Sequence, residues 1–315
     1  MLAIIGAGAL GSLFAARLSA RQRICFVSSR APHAPEIRFE LCSPFESPES
    51  QPVNAHHAFE LIAPDRISKL SAPLDSVLIC TKSHAAPLAV DEVCHWLPKD
   101  IPIVLFQNGL GSQFQILENH PDRPFYAAVT TEGANRNSKG QIIHAGRGQT
   151  RLGRLAYPDT EYQGQPDTAL TEKLVTDLQN DSLDIVADDH IWQALWIKLA
   201  INCAINPFTA ILDCPNGEIL NSDLFRQHWP ALKMELTAML QAAGYPCPVD
   251  ALENKVAHVA RATAQNISSM LQDVRSGRKT EIDDINGFAR RFLSEHNLPC
   301  ETNTLLWEQV HALGN

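Results

Sequence analysis

The first twenty residues, MLAIIGAGALGSLFAARLSA, leave this chain few folds to choose from. Leu2, Ala3, Ile4 and Ile5 form an apolar run of strand length, and Ser12 to Ala20 has the composition of a helix. Between them Gly6, Gly8 and Gly11 stand at GxGxxG spacing. Glycines fall at that spacing by chance, and a Gly-rich structural turn is the plain alternative. The context, after a strand and opening a helix, is what gives the motif meaning. Gly6 there permits a tight turn, Gly8 lets backbone amides approach a pyrophosphate, and Gly11 lets helix and strand pack closely. The helix N-terminus attracts the anion. Residues Gly6, Ala7, Gly8, Ala9, Leu10 and Gly11 are therefore the expected dinucleotide cradle, with Ile24 to Val27 as the second strand of an α/β sheet.

The end of that second strand selects the cofactor. An acid there bonds the ribose 2′-hydroxyl of NAD, whereas a 2′-phosphate needs cations and hydroxyls. This chain has Ser28, Ser29 and Arg30, with no acid before Glu36, which favours NADPH over NADH. The bland reading of Arg30 is a solvated surface charge.

Ser76 to Thr81 reads as a buried strand with Lys82 at its C-terminal end, and Ile101 to Phe106 delivers Gln107-Asn108-Gly109-Leu110-Gly111. Ligands of open α/β sheets bind outside such strand ends. Lys82 is thus a candidate for a cofactor phosphate or the substrate, and Asn108 for the site, although NG is also an ordinary turn signal. Phe125 to Thr131, Gln141 to His144 and Thr150 to Leu152 read as later strands of the same sheet, with TTEGA (130–134) crossing near the expected cleft. Leu170 to Asn180 reads as a helix and Asp184 to Val186 as a last short strand. Prolines crowd Ala31 to Pro73, where strands and hairpins are expected but not placed, and SPFESPESQP (43–52) reads as an exposed loop.

Asp188-Asp189 supplies a helix N-cap, and the composition is helical from there on, which sets expected domains of 1–188 and 189–315. Between Ile191 and Ile205 only Gln193, Lys198 and Asn202 are neither aliphatic, aromatic nor Cys. A segment apolar on every side reads as a helix inside a core, too short and too interrupted to span a bilayer. Lys198 and Asn202 stand four apart on one face. Asn206 extends that row only if the helix survives Pro207, which disfavours helical geometry before it and leaves the Cys203 carbonyl without its partner. A buried ammonium is costly unless paired. Lys198 therefore either snorkels to solvent or belongs to a polar stripe facing an anionic or carbonyl-bearing ligand. Beyond it, CPNGEI (214–219) reads as a turn, and Trp229 to Ala243 and Val249 to Leu271 as helices. Thr280 to Gly287 opens another. Asn266 and Ser269 would share a helix face, while Glu281 begins a separate element.

The whole 315-residue chain is 45 % hydrophobic and 19 % charged, as in soluble globular proteins, and its net charge of −9 argues against nucleic acid or anionic membrane surfaces as partners. No signal-peptide pattern is read at the N-terminus. The eight cysteines form no CxxC pair and the twelve histidines no metal-site spacing, so no metal and a cytoplasmic location are expected.

GAGALGS near the start, TK at 81–82, QNGLG at 107–111, LWIKLAINCAINPFTAI at 195–211, CPNGE at 214–218 and NISSMLQDVRSGRKTEIDDINGF at 266–288 together resemble the ketopantoate reductase (2-dehydropantoate 2-reductase) family. The motifs run in the family's order along the length of the chain. The resemblance implies a Rossmann-type N-terminal domain, an all-α C-terminal domain, and an active site in the cleft between them. It implies NADPH-dependent reduction of ketopantoate to pantoate on the route to pantothenate, by a monomer or homodimer whose partner is this small molecule. By position Lys198 resembles the family's catalytic lysine and Glu281 the acid acting with it. Asn108 resembles the residue between nicotinamide and substrate; Asn202, Asn206 and Ser269 resemble substrate contacts, with Asn266 beside them. Gly6, Gly8, Gly11, Arg30 and Lys82 match NADPH contacts. Residues 31–73 depart from the family. Two rival readings are a reductase of another 2-oxo acid on the same scaffold and a non-catalytic NADPH-binding sensor.

Overall fold

A computed structural model of the chain describes residues 1–28, 35–45, 53–156 and 168–314. It has two compact units, Met1–Gln107 with Ser112–Trp192, and Asn108–Gly111 with Gln193–Asn315. In the first, chain order runs β1 (Leu2–Ile5), α1 (Ala9–Leu18), β2 (Ile24–Val27), β3 (Glu36–Ser43), β4 (Val53–Ile62), β5 (Ser76–Ile79) and α2 (Ala86–Cys94). It continues with β6 (Ile103–Leu105), α3 (Ser112–Asn119), β7 (Phe125–Thr130), β8 (Gly133–Arg136), β9 (Ile142–Gly146), β10 (Gln149–Arg154), α4 (Thr168–Leu178) and β11 (Asp184–Ala187).

These strands make one sheet in the order β11-β10-β7-β6-β5-β1-β2-β4-β3-β9-β8. The strand that precedes the glycines lies inside it: β1 pairs in parallel with β2 and β5, Leu2 standing opposite Ile24 and Ser76. Every residue of β1, β2, β5 and β6 is buried, which is why these strands are unbroken apolar runs rather than alternating ones. Leu13, Phe14 and Leu18 bring α1 into one core cluster with Leu2, Ile4, Phe26, Leu78 and Val104. Each such large side chain contributes roughly 1.5–3 kcal/mol by leaving water.

The proline-rich region resolves into a hairpin. β3 and β4 pair antiparallel from Glu36 opposite Glu60 to Ser43 opposite Val53, and β4 joins the sheet parallel to β2. Within β3 the alternation of Phe39, Leu41 and Ser43 faces the core. Most of the loop expected at 43–52 falls at residues 46–52, outside the described residues.

The second unit is helical: α5 (Ile191–Leu212), α6 (Asp223–Ala242), α7 (Val249–Ala262), α8 (Ser269–Arg275), α9 (Asn286–Glu295) and α10 (Glu301–His311). Just before α5, Asp188 Oδ1 accepts the amide of His190 at 2.9 Å. Contrary to the sequence-based expectation, α5 does have the length and composition of a membrane span; 67 % of that window is nevertheless buried, as for a core helix. It is packed by aromatic rings, Trp196 lying 4.9 Å from Phe292 and 5.6 Å from Phe288 of α9.

Two expected helices need correction. Val249 to Leu271 is two helices, because the carbonyls of Ala264 and Asn266 turn away to accept the amides of Gly217 and Asn216 at 3.1 and 3.0 Å. Asn266 therefore lies in a connecting segment and does not share a helix face with Ser269, the first residue of α8. Thr280 to Ile285 is not helical, with turns over residues 282–285, and α9 begins only at Asn286. The amides of Asp284 and Ile285 both fold back onto the Glu281 carbonyl at 3.1 and 3.0 Å, and the Asp284 carbonyl is taken by Leu110.

Candidate active site

The polar row on α5 is continuous. The helix runs through Pro207 to Leu212, so Lys198, Asn202 and Asn206 follow one another down one face at four-residue spacing. Lys198 and Asn202 are half-buried, and Asn206 is 8 % exposed. Burial pushes the Lys198 ammonium down from 10.5 to about 8, and the Glu281 carboxylate opposes that shift. Glu281 is itself only 4 % exposed.

The turn at Asn108–Gly111 belongs to this same unit. Asn108 Nδ2 donates to Glu281 Oε2 at 3.3 Å, and the Leu110 amide donates to the Asp284 carbonyl at 2.9 Å. Gly109 makes the docking possible. Its φ is +79°, and a Cβ there would stand 2.2 Å from the Asp284 carbonyl oxygen. Replacing Gly109 by alanine is therefore expected to destabilise the fold by about 1–3 kcal/mol, because strain and clash fall together. Denaturant unfolding checks this; an alanine variant as stable as the parent would mean that the turn does not need this conformation.

A second tether holds the segment carrying Asn266 and Ser269 to α5. Thr209 Oγ1 donates to the Asn206 carbonyl at 2.7 Å, which leaves the Ser268 hydroxyl to donate to Thr209 at 2.6 Å. Ser268 in turn caps α8 by accepting the Leu271 amide at 3.0 Å. Ser269 is exposed beside it, and Asn266 is half-buried. Asn216, which sequence reasoning passed over as part of a turn, comes to the same place. Its amide meets the Asn266 carbonyl, its Nδ2 donates to Thr263 Oγ1 at 2.9 Å, and its buried Oδ1 has no protein partner among the described residues. A buried carboxamide with a spare acceptor was the signal, but only the fold reveals the burial.

The glycine loop lies in the first unit. Gly6 has φ +106°, and a Cβ on it would come within 2.6 Å of the Cys80 and Thr81 backbone; one on Gly11 would come within 2.2 Å of the Gly6 carbonyl. Gly8 is exposed, nothing stands within 4 Å of where its Cβ would be, and it is the N-cap of α1, whose first turn has no side-chain cap. Two glycines thus make the turn and the close packing while the third presents bare backbone at a helix N-terminus, the geometry a pyrophosphate needs. Ala7 contributes its carbonyl to Arg136 Nη2 at 3.1 Å, a cation beside the loop that no local sequence signal announces, 129 residues away. Lys82 is half-buried just past β5, and Gln107 Nε2 ties the end of β6 to the Ile79 and Thr81 carbonyls at 2.8 and 3.1 Å. Arg30 lies outside the described residues.

Comparison with known proteins follows the same division. Residues 2–157 match the family described as "Ketopantoate reductase PanE/ApbA", and residues 190–314 match its C-terminal counterpart. A 2-dehydropantoate 2-reductase of Shigella flexneri is 37 % identical over 243 residues, 76 % of this chain and 74 % of that protein. One from Vibrio cholerae serotype O1 is 32 % identical over 316 residues, 99 % of this chain and 97 % of that protein. In fold, the chain superimposes with a TM-score of 0.82 on a D-mandelate dehydrogenase solved with NADH and anilino(oxo)acetate, at 21 % identity, covering 100 % of this chain and 98 % of that one. Family match and near-full-length identity agree, and the chain belongs to the ketopantoate reductase family.

Proposed function

We propose that this protein is an NADPH-dependent reductase that converts ketopantoate to (R)-pantoate in pantothenate biosynthesis, with Lys198 as proton donor. The observation that carries the reading is a half-buried lysine under the electrostatic influence of a buried glutamate that Asn108 hydrogen-bonds, all in one unit of a member of this family. Residues 1–188 hold the dinucleotide and 189–315 the catalytic lysine and substrate groups. When bound, the cofactor would supply a hydride to the ketone carbon, and the fit of Gly6, Gly8 and Gly11 to a pyrophosphate supports this site for it, with Lys82 and Arg30 assigned as its cations by their resemblance to the family.

What the chain's own side chains do follows from charge. Reduction of a ketone places negative charge on its oxygen, which needs a positioned proton donor in a site where water does not screen it. Lys198 donates that proton. Glu281 holds the ammonium charged against the desolvation that disfavours it, and Asn108 orients Glu281. Asn202, Asn206, Asn266 and Ser269 bind the substrate's carboxylate and hydroxyl. Asn216, packed against Asn266, is placed to join them. The free thiols of all eight cysteines support a reducing compartment, and we assign the enzyme to the cytoplasm.

The test is NADPH consumption by the purified protein with ketopantoate, run beside NADH and a panel of 2-oxo acids. Ketopantoate with NADPH is expected to give the highest kcat/KM. Another 2-oxo acid in the lead would reassign the substrate, equal use of NADH would overturn the cofactor preference, and tight NADPH binding without turnover would make the protein a sensor.

A further inference from the structure

Pro207 breaks the hydrogen-bond ladder of α5 in the middle of the substrate-binding row. It has no N–H, so the carbonyl of Cys203 loses its intrahelical donor. Cys203 is fully buried, and a buried carbonyl without a partner is costly. The missing donor comes from another part of the chain: Asn286 Nδ2 donates to the Cys203 carbonyl at 3.2 Å. The second hydrogen of the same amide goes to Asn303 Oδ1 at 3.0 Å, and Asn303 Nδ2 donates to Glu235 Oε2 at 2.8 Å. That carboxylate also accepts the Thr302 and Asn303 amides at 2.7 and 2.9 Å, fixing the first turn of α10. Asn286 and Asn303 are fully buried, and Glu235 is 4 % exposed. Asn286 is therefore held rigidly from behind.

We propose that Asn286 is a positioning residue: its carboxamide stands in for the amide that Pro207 lacks and so sets where Asn202 and Asn206 lie relative to Lys198. Cys203 follows Asn202 directly and precedes Asn206 by one turn, so a shift of its carbonyl moves one carboxamide against the other. Asn286 also opens α9 five residues after Glu281, so one side chain registers both the acid's segment and the lysine's helix. A helix that carried its own donor at 207 would not need it. The inference rests on the ketopantoate reductase reading, and the parent enzyme's turnover of ketopantoate in the same assay tests that reading separately.

The experiment compares Asn286→Ala, Pro207→Ala and the double variant in the full-length protein. Alanine at 207 restores a backbone N–H to the Cys203 carbonyl. Asn286→Ala alone is expected to lose about tenfold or more in kcat/KM for ketopantoate, mainly through KM, with the Kd for NADPH changed by less than about twofold. Pro207→Ala alone is expected to stay within about threefold of the parent, and the double variant to return to within about threefold as well. A purely structural asparagine would not show that split between substrate and cofactor. The proposal is overturned if Asn286→Ala is as active as the parent, if the double variant is no better than Asn286→Ala, or if neither of them folds. Should only Asn286→Ala fail to fold, recovery of folded, active protein in the double variant carries the same support.

Discussion

Replacing Lys198 by alanine is expected to lower kcat for ketopantoate by about 10²- to 10⁴-fold, the usual cost of losing a general acid. The protein should remain folded, since alanine fits a helix interior and the removed group is an ammonium half-sunk in an apolar helix. NADPH affinity should stay near that of the parent, because the glycine cradle is built from β1, α1 and the backbone of Cys80 and Thr81 just past β5. Steady-state kinetics with a parallel measurement of NADPH binding checks both halves. A variant within about threefold of the parent would remove Lys198 from the chemistry.

The second large effect is expected from Glu281→Gln. Glutamine keeps the shape and an oxygen for Asn108 Nδ2, which now contacts Glu281 Oε2, but removes the charge. Burial lowers the Lys198 pKa and the Glu281 carboxylate raises it, settling at about 8. Lys198 must be protonated to donate. Activity is therefore present below that pKa and lost as pH rises through it. Without the carboxylate only the downward influence remains, so the alkaline limb of kcat/KM should move to lower pH, and at neutral pH the rate should fall by roughly tenfold or more. An alkaline limb unmoved in Glu281→Gln would mean that this carboxylate does not act on the lysine.

What could be read from the chain beforehand was what its neighbours in sequence determine. The glycine loop is a local device, since strand, turn and helix are contiguous, and the tight turn at Gly6 and the close packing at Gly11 were legible in it. The Lys198–Asn202 row was legible because helical spacing alone makes it. Asn206 joins that row only because α5 runs on through Pro207, a residue that ordinarily stops a helix; the Cys203 carbonyl that Pro207 leaves open is met by an amide 83 residues away, which no local pattern announces. The contact of Asn108 with Glu281 spans 173 residues, and no periodicity carries that distance. The same limit explains the error at 249–271. The α7 pattern is helical, and the break at Thr263 to Ser268 arises from hydrogen bonds to Asn216 and Gly217 in a separate turn. The β3–β4 hairpin was hidden because flanking prolines resemble a loop while the inward alternation of Phe39 and Leu41 is short.

The pH dependence of kcat/KM for ketopantoate, measured with saturating NADPH for the parent and for Lys198→Ala, tests most directly whether a half-buried ammonium delivers the proton. The parent should lose activity as pH rises through about 8, and the residual activity of Lys198→Ala should show no such limb. A limb at the same pH in both proteins, or a parent enzyme whose rate climbs through that range, would contradict the assignment of Lys198 as the acid.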